Sequence, residues 1–258
     1  MLQASVVPSK SQLSWVLWNL GYANQAHAQS ERTLELANRL GRPFSMAFAL
    51  MHAIALDHFR RDYANIPARA ESLLDIAREN GFPYWSAVAS MIIGRMLVGH
   101  GNYAVGIIRM RDAMALLAEA GGELIHGYAQ MLLAEAYLGS REPEKGLAIV
   151  AEALRLIEAS GQRMLEAEIW RLRGELLSTY GAGADEIERS LQHALDIAHE
   201  QQARSLELRS ATSLARFLQL KGRPAEAASI LNMAMAGINQ GQQNADFQDA
   251  VALVGISG

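Results

Sequence analysis

Cysteine is absent from the 258 residues, which excludes disulfides, thiolate metal ligands and cysteine nucleophiles and fits a reducing compartment. Lysine is nearly absent: Lys10, Lys145 and Lys221 are the full set, so there is no lysine-rich tail or membrane-binding cluster. Charged residues make up 19% of the chain, below the ordinary ~25%. The formal net charge of −4 gives no electrostatic reason to expect nucleic acid. No apolar run approaches the ~18 residues of a membrane span, and Met1–Ser5 lack the basic and apolar regions of a signal peptide. The composition points to a soluble, cytoplasmic chain with neither a membrane nor a nucleic-acid partner.

Catalytic signatures are missing too. There is no phosphate-binding Gly-x-x-x-x-Gly-Lys-[Ser/Thr] loop, no Gly-x-Ser-x-Gly elbow and no His-Glu-x-x-His pair. His52 and His58 are six apart, as are His193 and His199, so neither pair shares a helix face. Glu166/Glu168 and Glu186/Glu188 lie two apart and point in different directions on a helix. We therefore expect no catalytic residues, no metal site, no cofactor and no enzyme activity in this chain.

What the sequence has instead is a glycine beat. Gly21, Gly41, Gly81, Gly101, Gly121, Gly161, Gly181 and Gly241 fill eight of the twelve positions on a twenty-residue grid. With 21 glycines in 258 residues, chance would place about one there. Apolar residues recur at helical spacing between them, as in Leu147, Val150, Leu154 and Ile157. One glycine after each helix fits a left-handed C-cap. Two helices per forty residues then make an all-α solenoid of about six antiparallel helix pairs. The pairs begin near Gln12, Phe44, Tyr84, Leu124, Leu165 and Ser205.

Ladders of small residues indicate the repeat type. Gly94, Ala134, Gly174 and Ala215 recur in first helices; Ala26, Gly106, Gly146 and Ala227 recur early in second helices; Ala113, Ala153, Ala194 and Ala234 follow two turns on. Small side chains at matched heights permit the close approach of a tetratricopeptide-like hairpin. The period also overlaps the HEAT/armadillo range, but the filled small positions favour the tetratricopeptide-like reading. After Gly174 the ladders slip from 40 to 41 residues, and the extra residue belongs in the loop Gly181–Asp185. The solenoid is expected over 1–241, and 242–258 form a tail of the same domain with a capping helix over Asp246–Val254.

In such a fold the first helix of each pair faces the concave side. Candidate groove residues are Phe48, Met51, Met91, Arg95, Tyr128, Met131, Glu135, Arg171, Arg209 and Arg216. Met51, Met91 and Met131 share one position in three repeats, and methionine suits adaptable apolar surfaces. The plainer reading, which carries more weight, is that Met and Phe pack between repeats while Arg and Glu make structural ion pairs. Trp15 and Trp18 make the first pair unusually apolar and suggest a docking surface for an upstream domain or a second copy. Glu207 is placed to pair with a neighbouring arginine.

Three strings carry a family resemblance: Ala167-Glu168-Ile169-Trp170-Arg171-Leu172-Arg173-Gly174-Glu175-Leu176-Leu177, Ser205 through Arg216, and Lys221-Gly222-Arg223-Pro224-Ala225-Glu226-Ala227. Together they resemble the C-terminal tetratricopeptide-like region of bacterial signalling proteins that join a class III adenylate/guanylate cyclase or DNA-binding domain to an ATPase module. The resemblance covers about residues 34–253. It implies an interaction or sensory module with a protein or peptide partner, such as an upstream catalytic domain or a second copy of the chain. No cyclase or ATPase motif is present, so neither activity carries over. A small-ligand sensor with Trp85, Trp170, Arg171 and Arg209 as lining is the alternative.

Overall fold

A computed structural model describes residues 6–119 and 123–256; the side chains of Glu123, Leu124 and Ile256 lie outside the description. The described chain holds thirteen helices: α1 (Val6–Asn19), α2 (Ala23–Leu40), α3 (Pro43–Phe59), α4 (Ile66–Glu79), α5 (Pro83–Gly99), α6 (Tyr103–Glu119), α7 (Glu123–Gly139), α8 (Pro143–Ser160), α9 (Glu166–Tyr180), α10 (Ala184–Glu200), α11 (Arg204–Leu220), α12 (Pro224–Ala236) and α13 (Ala245–Ile256). They form an all-α, tetratricopeptide-like solenoid. The chain divides into two compact units, residues 1–123 and 124–258.

The twenty-residue beat is a beat of left-handed residues. Gly21, Gly41, Gly81, Gly101, Gly161, Gly181 and Gly241 all have positive φ, and so do Arg61 and Arg141 at grid positions that lack glycine. Gly121 falls outside the described residues. The residue after many of these caps donates its N–H back five residues, as in Phe82 to Ala77 (2.8 Å), Asn102 to Leu97 (2.9 Å) and Glu142 to Tyr137 (3.0 Å). That bond closes a helix C-terminus and starts the return helix at a set angle. All six prolines sit in the first turn of a helix, where no N–H is missed. The next two positive-φ positions after Gly181 are Gln202 and Gly222, one residue off the grid, before Gly241 falls on it again. The cause is the expected one: α10 starts three residues past Gly181, whereas α6, α8 and α12 start two past their own left-handed residue.

First and second helices are buried differently. Thirteen of the seventeen residues of α3 and twelve of the seventeen of α11 are buried, whereas α2 buries five of eighteen along one stripe. α3 and α11 are thus sandwiched, whereas α2, and α1 at the chain's start with four buried of fourteen, face solvent on one side. All the small-residue ladders are buried. In unit 1 the backbones of α5 and α6 meet glycine on glycine: a Cβ on Gly106 would lie 2.6 Å from the Gly94 carbonyl oxygen. In unit 2 a Cβ on Gly174 would lie 2.5 Å from Leu191 Cδ2, and one on Gly146 would lie 2.5 Å from Leu176 Cδ2. The first helix starts at Val6, earlier than Gln12, and the closing helix spans Ala245–Ile256.

Candidate functional site

The sandwiching of first helices corrects much of the expected groove wall. Met51, Met91 and Met131 are only 6%, 2% and 0% exposed, and Tyr128 is also buried. Met51 is covered because its helix stacks on a neighbouring first helix, α1 on α3, as α9 stacks on α11 in unit 2. Phe48, Arg95 and Glu135 are half-buried, and Arg216 is exposed. Arg171 and Arg209 reach the surface only at their margins and are held by carboxylates.

Unit 1 presents an aromatic row. His52 stacks on Phe48 at 4.2 Å between centroids, and Trp15 packs against the same imidazole at 4.5 Å. Phe48 meets Trp85 edge to face at 6.0 Å, and Phe44 meets Trp85 at 5.7 Å and Phe82 at 6.1 Å. Residues 44, 48 and 52 follow one another at single helical turns on α3, which aligns their rings along one face. Trp15 anchors α1 by donating its indole N–H to the His52 carbonyl oxygen (2.9 Å). Trp18 is buried and stacks on Phe59 at 5.0 Å. The two N-terminal tryptophans are therefore turned into their own unit, Trp18 wholly and Trp15 in part, and they do not form the outward docking surface that the sequence suggested. The ring left outside is Phe44, 57% exposed, a position the sequence reading passed over because it counted inward from the small-residue ladder.

Beside this row lies an ionic cluster on α2, α3 and α4. Arg69 Nη1 donates to Asp57 Oδ2 (2.7 Å) and Nη2 to Glu31 Oε1 (2.5 Å). Asp57 Oδ1 is buried without a hydrogen-bond partner. Burial pushes the Asp57 carboxyl up to about 6, against the pull of Arg69. Burial likewise lowers His52 to about 4, against its contact with the Phe48 carbonyl. The imidazole is therefore neutral at pH 7.

Unit 2 carries the charged half of the predicted wall, and its charges face each other. Arg171 grips Glu168 with two parallel bonds, Nη2 to Oε1 (2.7 Å) and Nε to Oε2 (3.0 Å). It also donates to Glu175 Oε1 (2.6 Å) and Ser213 Oγ (3.2 Å), while Ser213 donates to Glu175 (2.7 Å). Arg209 Nε donates to Asp246 Oδ2 (2.7 Å). Burial alone would raise Glu168, but Arg171 and Arg209 outweigh it and hold its carboxyl below the usual range. Glu207 pairs with Arg204 of its own helix (2.6 Å) and with His199 of α10 (3.0 Å). Such neutralised networks set register between stacked helices. Among the described residues no group of three His, Asp or Glu side chains is placed to hold a metal ion, and no helix is long and apolar enough to cross a membrane.

Unit 2 also has an open cleft of about 560 Å³ between α8, α9 and α10, lined by Leu154, Ile157, Trp170, His193, Arg155 and Arg163 among others. Trp170 meets His193 edge to face at 4.5 Å and Arg173 lies 5.4 Å from its ring centroid. Of the four residues expected to line a small-ligand site, Trp170 alone borders this cleft; Trp85, Arg171 and Arg209 do not.

The fold and its capped helix pairs define a tetratricopeptide-like helical-repeat protein. No protein-family model matches the chain, and no curated protein matches it. Among solved structures it is similar to a Rap protein complexed with competence and sporulation factor, with a TM-score of 0.65 and 16% identity over 97% of this chain and 69% of that one. It is also similar to a signal transduction ATPase with numerous domains (STAND) from Pyrococcus horikoshii that has a tetratricopeptide repeat sensor. There the TM-score is 0.54 and the identity 16%, over 99% of this chain and 39% of that one. At such identities the likeness establishes the fold.

Proposed function

We propose that the chain is a non-catalytic, protein- or peptide-binding regulatory module, and that the aromatic row of unit 1 is its contact surface. The observation that carries this reading is Phe44. It is a large apolar ring, 57% exposed, held edge to face against the buried Trp85 and the half-buried Phe82 at the outer end of the row. Exposed aromatic anchors set in a rigid frame are the usual energetic centres of an interface. The repeats of the similar STAND protein are described as a sensor, and the similar Rap protein is complexed with competence and sporulation factor; a recognition role here agrees with both. The strings 167–177 and 205–216 favour a bacterial signalling polypeptide bearing a cyclase or ATPase as the regulated partner.

A photoreactive phenylalanine analogue at position 44 tests the reading. Crosslinks to one defined macromolecule from position 44, with none from the outward position 32 on α2, are expected. Equal labelling from both positions, or none from 44, contradicts it.

The Trp170 cleft favours a second reading, a small-ligand sensor, because its volume falls within the ~300–1,000 Å³ of ligand pockets. A metabolite that raises the melting temperature of the wild type but not of Trp170→Ala, in a chain that crosslinks nothing through position 44, would reverse the order.

A further inference from the structure

The row of α11 that the repeat register assigns to the inner wall is not bare. α13 lies along it in the same direction and touches it at three successive points. Arg209 Nε donates to Asp246 Oδ2 (2.7 Å), Arg216 Nη2 donates to Asp249 Oδ2 (3.2 Å), and Gln219 Nε2 donates to the Leu253 carbonyl oxygen (3.0 Å). The two carboxylates are three residues apart, so they share one face of α13. Phe247, Ala250, Leu253 and Val254 make the adjoining apolar face and join the core cluster of α11 and α12.

The attachment is shallow. Ala250 is the single fully buried side chain among those described in α13, against twelve in α11. Eight residues outside any helix, 237–244, separate α13 from α12. Few buried apolar contacts and a polar, part-exposed contact line mark a segment that opens before the rest of the fold does. The Arg216–Asp249 pair is itself about half exposed and contributes little.

We propose that α13 is a self-ligand: it occupies, and reversibly vacates, a docking surface on α11 whose proper guest is an acidic amphipathic helix. That guest carries two carboxylates three residues apart, for Arg209 and Arg216, beside an apolar strip for the α11/α12 core edge. A tethered α13 acts at an effective concentration in the millimolar range, so a guest in trans competes only when it binds better or when α13 is released. This surface lies in unit 2 and stands or falls independently of the aromatic row of unit 1.

The test uses the full chain and a labelled peptide of residues 243–256. In the double variant Asp246→Arg, Asp249→Arg, the chain's own helix is repelled by Arg209 and Arg216. The peptide should then bind at least ~10-fold more tightly than it binds the wild type, read by fluorescence anisotropy. A peptide carrying the same two reversals should not bind. Equal affinity of wild type and variant, or no binding to either, overturns the proposal. Hydrogen exchange of the wild-type chain gives a second reading that does not depend on the variant folding. Amides of α13 should exchange at least ~100-fold faster than those of α11. Equal protection of the two helices would also overturn it.

Discussion

His52 and Asp57 sit five residues apart on α3 and are buried with opposite titration faults, which makes a sharp test of the unit 1 interior. His52 titrates near 6.5 when unfolded and near 4 when folded. As the pH falls below 6.5, the unfolded chain takes a proton that the folded chain refuses, so stability is lost until about pH 4. At 1.36 kcal/mol per unit the loss is about 3 kcal/mol. Asp57 titrates near 3.8 unfolded and near 6 folded. Below pH 6 the folded chain takes a proton that the unfolded one does not, so stability is gained as the pH falls toward 3.8, again by about 3 kcal/mol. The two contributions almost cancel. Urea unfolding of unit 1 at several pH values between 7 and 4 should separate them. Relative to the wild type, His52→Gln becomes progressively more stable on acidification, and Asp57→Asn progressively less stable. A His52→Gln difference that does not change with pH would show that burial does not hold the imidazole neutral in the folded chain.

Other perturbations have graded outcomes. Gly106→Ala forces a methyl against a backbone carbonyl, so the α5–α6 pair must part, at about 2–3 kcal/mol by urea denaturation. Gly174→Ala meets the buried Leu191 at Cδ2 (2.5 Å) and Cγ (2.6 Å), a side chain rather than backbone, and should cost less, about 1–2 kcal/mol; the reverse order would mean that helix spacing is not set by the glycine pair. Glu168→Gln removes the carboxylate shared by two buried arginines and should cost about 3 kcal/mol. Glu152→Gln, in an exposed pair with Arg155, should leave the melting temperature unchanged.

The repeat register was legible because it rests on local backbone requirements. A left-handed cap needs glycine most of the time, and a close helix pair needs small residues at set heights. Arg61, Arg141 and Gln202 show the limit, since the fold imposes positive φ there without the glycine that would announce it. The groove wall was less legible. Which face of a first helix meets solvent depends on how deeply its neighbours cover it, and an apolar helix such as α3 carries no polar stripe to mark a boundary. That is why Met51, Met91 and Met131 lie in the core while Phe44, outside the aligned positions, is exposed. The charged row of α9 and α11 was found by residue type, but its partners Asp246 and Asp249 come from a helix more than thirty residues away. Sequence spacing does not report such a contact.

The role proposed for Phe44, exposed on a rigid repeat frame, is recognition rather than stability. The direct measurement is the affinity of the crosslinked partner for Phe44→Ser beside the melting temperature of that variant. Binding should weaken at least ~10-fold while the melting temperature stays within about 2 °C of the wild type. Unchanged binding with a lowered melting temperature would make Phe44 part of the packing and contradict a recognition role.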